Sequence, residues 1–80
     1  MTKTNKTYQG WANYATWNVA LWINNDEGLY NLAKVYRHTG YKSLVEMLRD
    51  ELDFRETPDG VALNDSGLDI DELDAMMEEL

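Results

Sequence analysis

From about Tyr14 to Asn24 the chain is apolar, interrupted only by Thr16, Asn18 and Asn24. Asn13 stands just ahead of it as a good N-cap, so the segment reads as a helix. At 100° per residue its apolar groups fall on every side, and a helix apolar all round is expected to be buried all round. The chain has 80 residues, and one this short buries only about 60% of the surface its unfolded form exposes. Such a helix therefore needs neighbours on most of its faces, or a second copy of the chain. Eight of the nine aromatics (Tyr8, Trp11, Tyr14, Trp17, Trp22, Tyr30, Tyr36 and Tyr41) lie before Lys42. The core is expected to be centred in that half.

Three further helices follow from local signals. Asn25 is placed to cap a second helix, with Asp26 and Glu27 in the first turn where the dipole favours anions. Leu29, Leu32, Ala33 and Tyr36 form its inner stripe, and His38 and Gly40 end it. Ser43 and Glu46 have capping-box spacing for a third helix ending near Asp53. Leu44, Val45, Leu48 and Leu52 face inward. Thr57-Pro58-Asp59-Gly60 reads as a turn; its flanks, Phe54-Arg55-Glu56 and Val61-Ala62-Leu63, could pair as a short hairpin, but a loop packed by Phe54 and Leu63 is the better reading. Asp69 and Glu72 form a capping-box equivalent, with Leu68 and Leu73 placed as a hydrophobic staple. The last helix, about 70–80, sets Ile70, Leu73, Met76, Met77 and Leu80 on one arc and its acids on the other. The expectation is an all-α fold: a small compact bundle of about four short helices in one domain, residues 10–80. Residues 1–9, polar and aperiodic, read as a flexible N-terminal arm.

Several chemistries are excluded by what the chain lacks. There is no cysteine, so thiolate zinc sites, iron–sulfur clusters, disulfides and cysteine nucleophiles are all ruled out. His38 is the single histidine, and at a helix C-terminus it reads as structural. No register across residues 59–74 supplies the oxygen ligands and glycine of a calcium loop. The remaining carboxylates lie on polar arcs, where nothing raises the pKa of one for acid–base work. No enzyme and no cofactor is expected. No apolar run reaches the ~18 residues of a membrane span, and no signal-type stretch follows Met1. The expected address is intracellular.

Charge is the other informative feature. The formal net charge is −8, and residues 41–80 carry thirteen acids against three bases. That half cannot neutralise phosphates and would be repelled by anionic membranes, so neither nucleic acid nor a membrane is an expected partner. A charge-selected partner would be basic. From Asp69 to Glu79 six acids occupy eleven residues. That is one per roughly 2.7 Å of helix, against about 3.4 Å per charge for one DNA strand. Together with Asp50 and Asp53 on the third helix, such a surface could occupy a cationic nucleic-acid groove. The plain counter-reading is a solvated face that keeps the protein soluble. The aromatic block could stack bases, but only Lys34, Arg37 and Lys42 lie nearby, so core packing or self-association is the better reading.

The segment from Gly10 to Gly28 has the pattern G-W-x-N-Y-x-T-W-x-V-x-L-W-x-x-N-D-E-G. It resembles a family of small, functionally uncharacterised proteins of bacteriophages, archaeal viruses and other mobile elements. The likeness is not visible through residues 41–80, so the acidic half is expected to be particular to this chain. The resemblance implies a setting, the cytoplasm of a prokaryotic host cell, in which small acidic proteins often antagonise defence systems of the CRISPR or restriction type. The combined expectation is a non-enzymatic protein that binds a basic nucleic-acid-binding surface of a host protein. Asp50, Asp53, Asp71, Glu72, Asp74, Glu78 and Glu79 are the candidate contacts. The alternative is a self-associating structural or regulatory protein with a homodimeric aromatic core.

Overall fold

The computed structural model describes residues 8–80. Four helices follow in order: α1 Tyr14–Asn25, α2 Glu27–Val35, α3 Tyr41–Leu52 and α4 Ile70–Glu78. Among the described residues the only β-pairing is two isolated bridges, Tyr8 with Trp11 and Glu56 with Ala62. The fold is all-α. Residues 1–7 of the expected arm lie outside the described residues. Its last two, Tyr8 and Gln9, belong to a tight turn closed by Tyr8 N–H to Trp11 O at 3.0 Å and Trp11 N–H to Tyr8 O at 2.7 Å. Gln9 and Gly10 both have positive φ, 51° and 88°, the twist that two-residue hairpin loops require.

Asn13 caps α1 as expected, its Oδ1 accepting from the Thr16 N–H and the Thr16 hydroxyl, each at 2.8 Å. The α1–α2 junction is tighter than expected. Asn25 is still helical, and Asp26 alone separates the two helices. Its N–H donates to Trp22 O, closing α1, while its Oδ1 accepts from Leu29 N–H at 3.0 Å, opening α2. One extended residue (φ −97°, ψ 117°) thus does both jobs. Asn25 cannot cap because it still carries helical geometry.

The Ser43–Glu46 capping box is not formed. α3 begins two residues earlier, behind Gly40 at φ 102°, which has no side chain to cap with. Ser43 Oγ instead donates to Thr39 O at 3.4 Å. The missing acceptor comes from another helix: Asp74 Oδ1 of α4 accepts Tyr41 N–H at 2.7 Å. α3 ends at Asp53 in the left-handed region (φ 53°), with Phe54 N–H reaching back to Leu48 O at 2.9 Å. That reversal carries Phe54 onto the core and leaves Leu52, expected inside, 57% exposed. Glycine tolerates this conformation better than Asp. Asp53→Gly is expected to stabilise the protein by about 0.5–1 kcal/mol in chemical denaturation.

Between α3 and α4 the Thr57–Gly60 turn closes as read, with Gly60 N–H to Thr57 O at 2.8 Å. Its flanks pair through Thr57 N–H to Val61 O and Leu63 N–H to Arg55 O. Val61, Leu63 and Leu68 from this segment are buried.

Among the described residues fourteen hydrophobic side chains form the buried core, and eight of them lie after Lys42. The expectation of a core centred in the aromatic half is corrected. Aliphatic side chains fill the interior, and Tyr41 is the one aromatic among the fourteen. Large amphipathic rings are rarely buried completely. α1 is not buried all round either. Val19, Ala20 and Ile23 face the core, while Tyr14 is 44% exposed and Trp17, Leu21 and Trp22 are half-buried. Thr16 and Asn18, which interrupt the apolar pattern, are both fully buried.

Candidate functional site

Two polar networks explain those buried residues. In the first, Asn18 Oδ1 accepts the Thr57 hydroxyl at 2.7 Å, and Asn18 Nδ2 donates to Asp59 Oδ2 at 2.8 Å. Trp22 Nε1 donates to the same Asp59 oxygen at 3.0 Å, and Val61 N–H closes onto Thr57 Oγ1 at 3.1 Å. The hydrogen bonds from Asn18 and then Trp22 hold the Asp59 carboxyl below the usual carboxylate range. In the second, Thr16 Oγ1 accepts Asp69 N–H at 2.9 Å, and Asn13 Nδ2 donates to Gly67 O at 2.7 Å. A buried amide or hydroxyl needs such partners. Here the partners lie 41 and 53 positions along the chain, so α1 is tied by its polar side chains to the segments on either side of Leu63. The Tyr41 hydroxyl adds a third tie, donating to Leu63 O at 2.6 Å, and burial raises its pKa.

The seven candidate contacts divide by environment. Asp50, Asp71, Glu78 and Glu79 are exposed. Asp53 is exposed too, but its Oδ1 lies 2.8 Å from Arg55 Nε, a surface pair worth little to stability. Glu72 and Asp74 are half-buried and hold backbone: Glu72 Oε1 accepts Ala12 N–H at 2.9 Å, and Asp74 receives Tyr41 N–H. The expected capping box at α4 is therefore half formed. Asp69 Oδ1 accepts Glu72 N–H at 3.1 Å, but Asp69 N–H goes to Thr16 and the Glu72 carboxylate turns to Ala12. The sequence places both acids on the polar arc, with Glu72 also as the capping-box partner of Asp69; in the fold Glu72 holds Ala12 N–H and Asp74 holds Tyr41 N–H.

The exposed carboxylates of α4 have no ion-pair partner among the described residues. No Lys or Arg occurs after Arg55. Glu78 and Glu79 close α4 at its C-terminal end, where the dipole disfavours negative charge. Arg37 of the turn after α2 offsets part of this by donating to Leu80 O at 3.4 Å. A cleft of about 440 Å³ lies between α3 and residues 63–70. Lys42 and Arg49 stand on its rim, but so do Glu46 and Asp65, so it favours neither sign of ligand. Among the described residues no three His, Asp or Glu side chains gather to hold a metal ion. No helix of the described residues is long and apolar enough to cross a membrane.

A protein-family model matches residues 4–80 of the chain. The chain belongs to that family, described as a family of unknown function, DUF7249. The match runs through α3 and α4, so the family domain includes the acidic half. No curated protein and no solved structure matches the chain. Within the DUF7249 domain, Asn13, Thr16, Asn18 and Trp22 are latch residues. For Thr16 and Asn18 the signal is polarity inside an apolar helix, which reads in the sequence as interruption; Asn13 reads there as the cap of α1 and Trp22 as an apolar aromatic.

Proposed function

We propose that this DUF7249 chain is a non-enzymatic docking protein whose exposed carboxylates engage a basic nucleic-acid-binding surface on another protein. Asp50 on α3 and Asp71, Glu78 and Glu79 on α4 are the contacts. Glu72 and Asp74 hold α4 in place beneath them. The target class is the cationic channel of a prokaryotic defence nuclease of the CRISPR or restriction type, and occupation of that channel would exclude its nucleic acid.

The observation that supports this reading is the placement of Glu78 and Glu79. Acids at a helix C-terminus each cost about 0.3–1 kcal/mol; the last turn of α4 holds no basic residue, and Arg37 at Leu80 O offsets only part of the cost. Charge that weakens the fold serves something outside it. Glu78→Gln with Glu79→Gln is accordingly expected to raise the stability of the isolated protein by about 0.5–1 kcal/mol while weakening partner capture. A gain in stability with no loss of binding would sink the proposal.

The test uses tagged protein against lysate of a prokaryotic host, with Asp50, Asp71, Glu78 and Glu79 changed together to Asn or Gln. Glu72 and Asp74 are left intact, because their loss would loosen the fold and mimic a binding defect. Wild type should recover a nucleic-acid-binding protein that the variant does not. That capture should also fall as salt rises from about 0.05 to 0.5 M, across which the Debye length shrinks severalfold. Capture indifferent to salt would remove charge from the mechanism.

A further inference from the structure

We propose that the outer side of α1 is the contact between two copies of this chain. Tyr14, Trp17 and Leu21 recur at helical spacing on the side away from Val19, Ala20 and Ile23. Tyr8 packs across two of them, its ring centroid 5.3 Å from Tyr14, edge-on, and 4.9 Å from Trp17. Tyr14 and Trp17 are themselves 5.6 Å apart. Three rings thus form one cluster before any partner arrives, Tyr14 exposed and Tyr8 and Trp17 half-buried. Rigid aromatic anchors of this kind lose little entropy on binding and dominate interface energetics.

Charge identifies the occupant. α1 contains no Asp, Glu, Lys or Arg, and each of the other three helices carries at least two. Two molecules of net charge −8 repel one another. They can approach where no carboxylates face each other, and on the helices of this chain that place is α1. A basic partner would gain nothing from such a face and would prefer α3 and α4. Asp59 stands at the rim with its carboxylate already held by Asn18 and Trp22. Only Tyr14 of the stripe is exposed, Trp17 and Leu21 being half-buried, so the dimer is a weak, exchanging one. It is independent of the acidic surface, which stays open on both copies.

Sedimentation equilibrium of the full chain tests this from about 5 to 500 μM, the range suited to small interfaces. The weight-average mass should climb from 9.3 kDa toward twice that value. Raising the salt should tighten the dimer severalfold, because the remaining force between copies is repulsion. Trp17→Gln should raise the dissociation constant at least about tenfold. Leu52→Gln, at another exposed apolar site, should leave it unchanged. Should Trp17→Gln lose its helical circular dichroism, Tyr14→Gln at the exposed end of the stripe gives the same reading. A 9.3 kDa species at every concentration overturns the proposal and leaves the stripe to another protein or to residues 1–7. A dimer that weakens with salt, or that Leu52→Gln disrupts equally, overturns it as well.

Discussion

Asn18→Asp is expected to remove about 3–5 kcal/mol of the protein's stability at neutral pH and to give much of it back on acidification. The substitution keeps the shape of the side chain and exchanges its amide nitrogen for an oxygen. That nitrogen donates to Asp59 Oδ2 across 2.8 Å from a fully buried position. The variant therefore opposes a buried carboxylate to an existing one. An uncompensated buried charge costs about 3–5 kcal/mol. A domain of this size has roughly 4–12 kcal/mol in total. When the introduced carboxyl is protonated it can donate to Asp59 as the amide did, and the repulsion disappears.

The pH dependence fixes the sign of the effect. The introduced carboxyl has its folded pKa raised above the unfolded value of about 3.9. Its folded state binds more protons, so the variant loses stability as pH rises through that window. Asp59 in the wild type has its pKa lowered by Asn18 and Trp22. Its contribution is present above about pH 3.9 and is lost as pH falls below it. The stability difference between variant and wild type should shrink from pH 7 to pH 4. Urea midpoints at the two pH values measure it, and a variant as stable as wild type at pH 7 would show that Asn18 is not the latch described.

Asp74→Ala is expected to cost about 2 kcal/mol, combining a lost helix cap with an unsatisfied backbone donor. For a domain of this size that lowers the melting temperature by about 10 °C. Gly40 cannot cap α3, so Asp74 supplies the acceptor for Tyr41 N–H and joins α3 to α4 in doing so. Asp74→Asn keeps an oxygen in the same place and should lose about half as much. Thermal melts followed by circular dichroism compare the three. A cost confined to charge would make Asn as damaging as Ala and remove the capping role. The contrast with Glu78 and Glu79, whose neutralisation is expected to stabilise, separates structural acids from those proposed to face a partner.

These two sites also mark where sequence reading stopped. Asp69 as a cap, the amphipathic stripe of α4 and the Asn13 cap of α1 depend on neighbours within four residues, so they were legible. The Ser43 box had equally good local spacing and did not form, because α4 offered Tyr41 a better acceptor from 33 positions away. Leu52 satisfied the inward periodicity of α3, but the left-handed Asp53 turned Phe54 inward instead. Of the seven acids read as one surface, Glu72 and Asp74 differ from Asp71 and Glu78 only in what folding brings against them.

The sequence by itself determined the helices and their order, because hydrophobic period, caps and the Pro58–Gly60 turn act over a few residues. It also determined the charge asymmetry, which needs no folding to exist. Only the tertiary structure decided which polar groups are spent inside the molecule. Asn18, Thr16, Glu72 and Asp74 look like surface or interruption until chain segments 33 to 60 positions away arrive to share their hydrogen bonds. A polar side chain carries no local sign of its partner. Desolvation forces the pairing, and desolvation is a property of the packed chain.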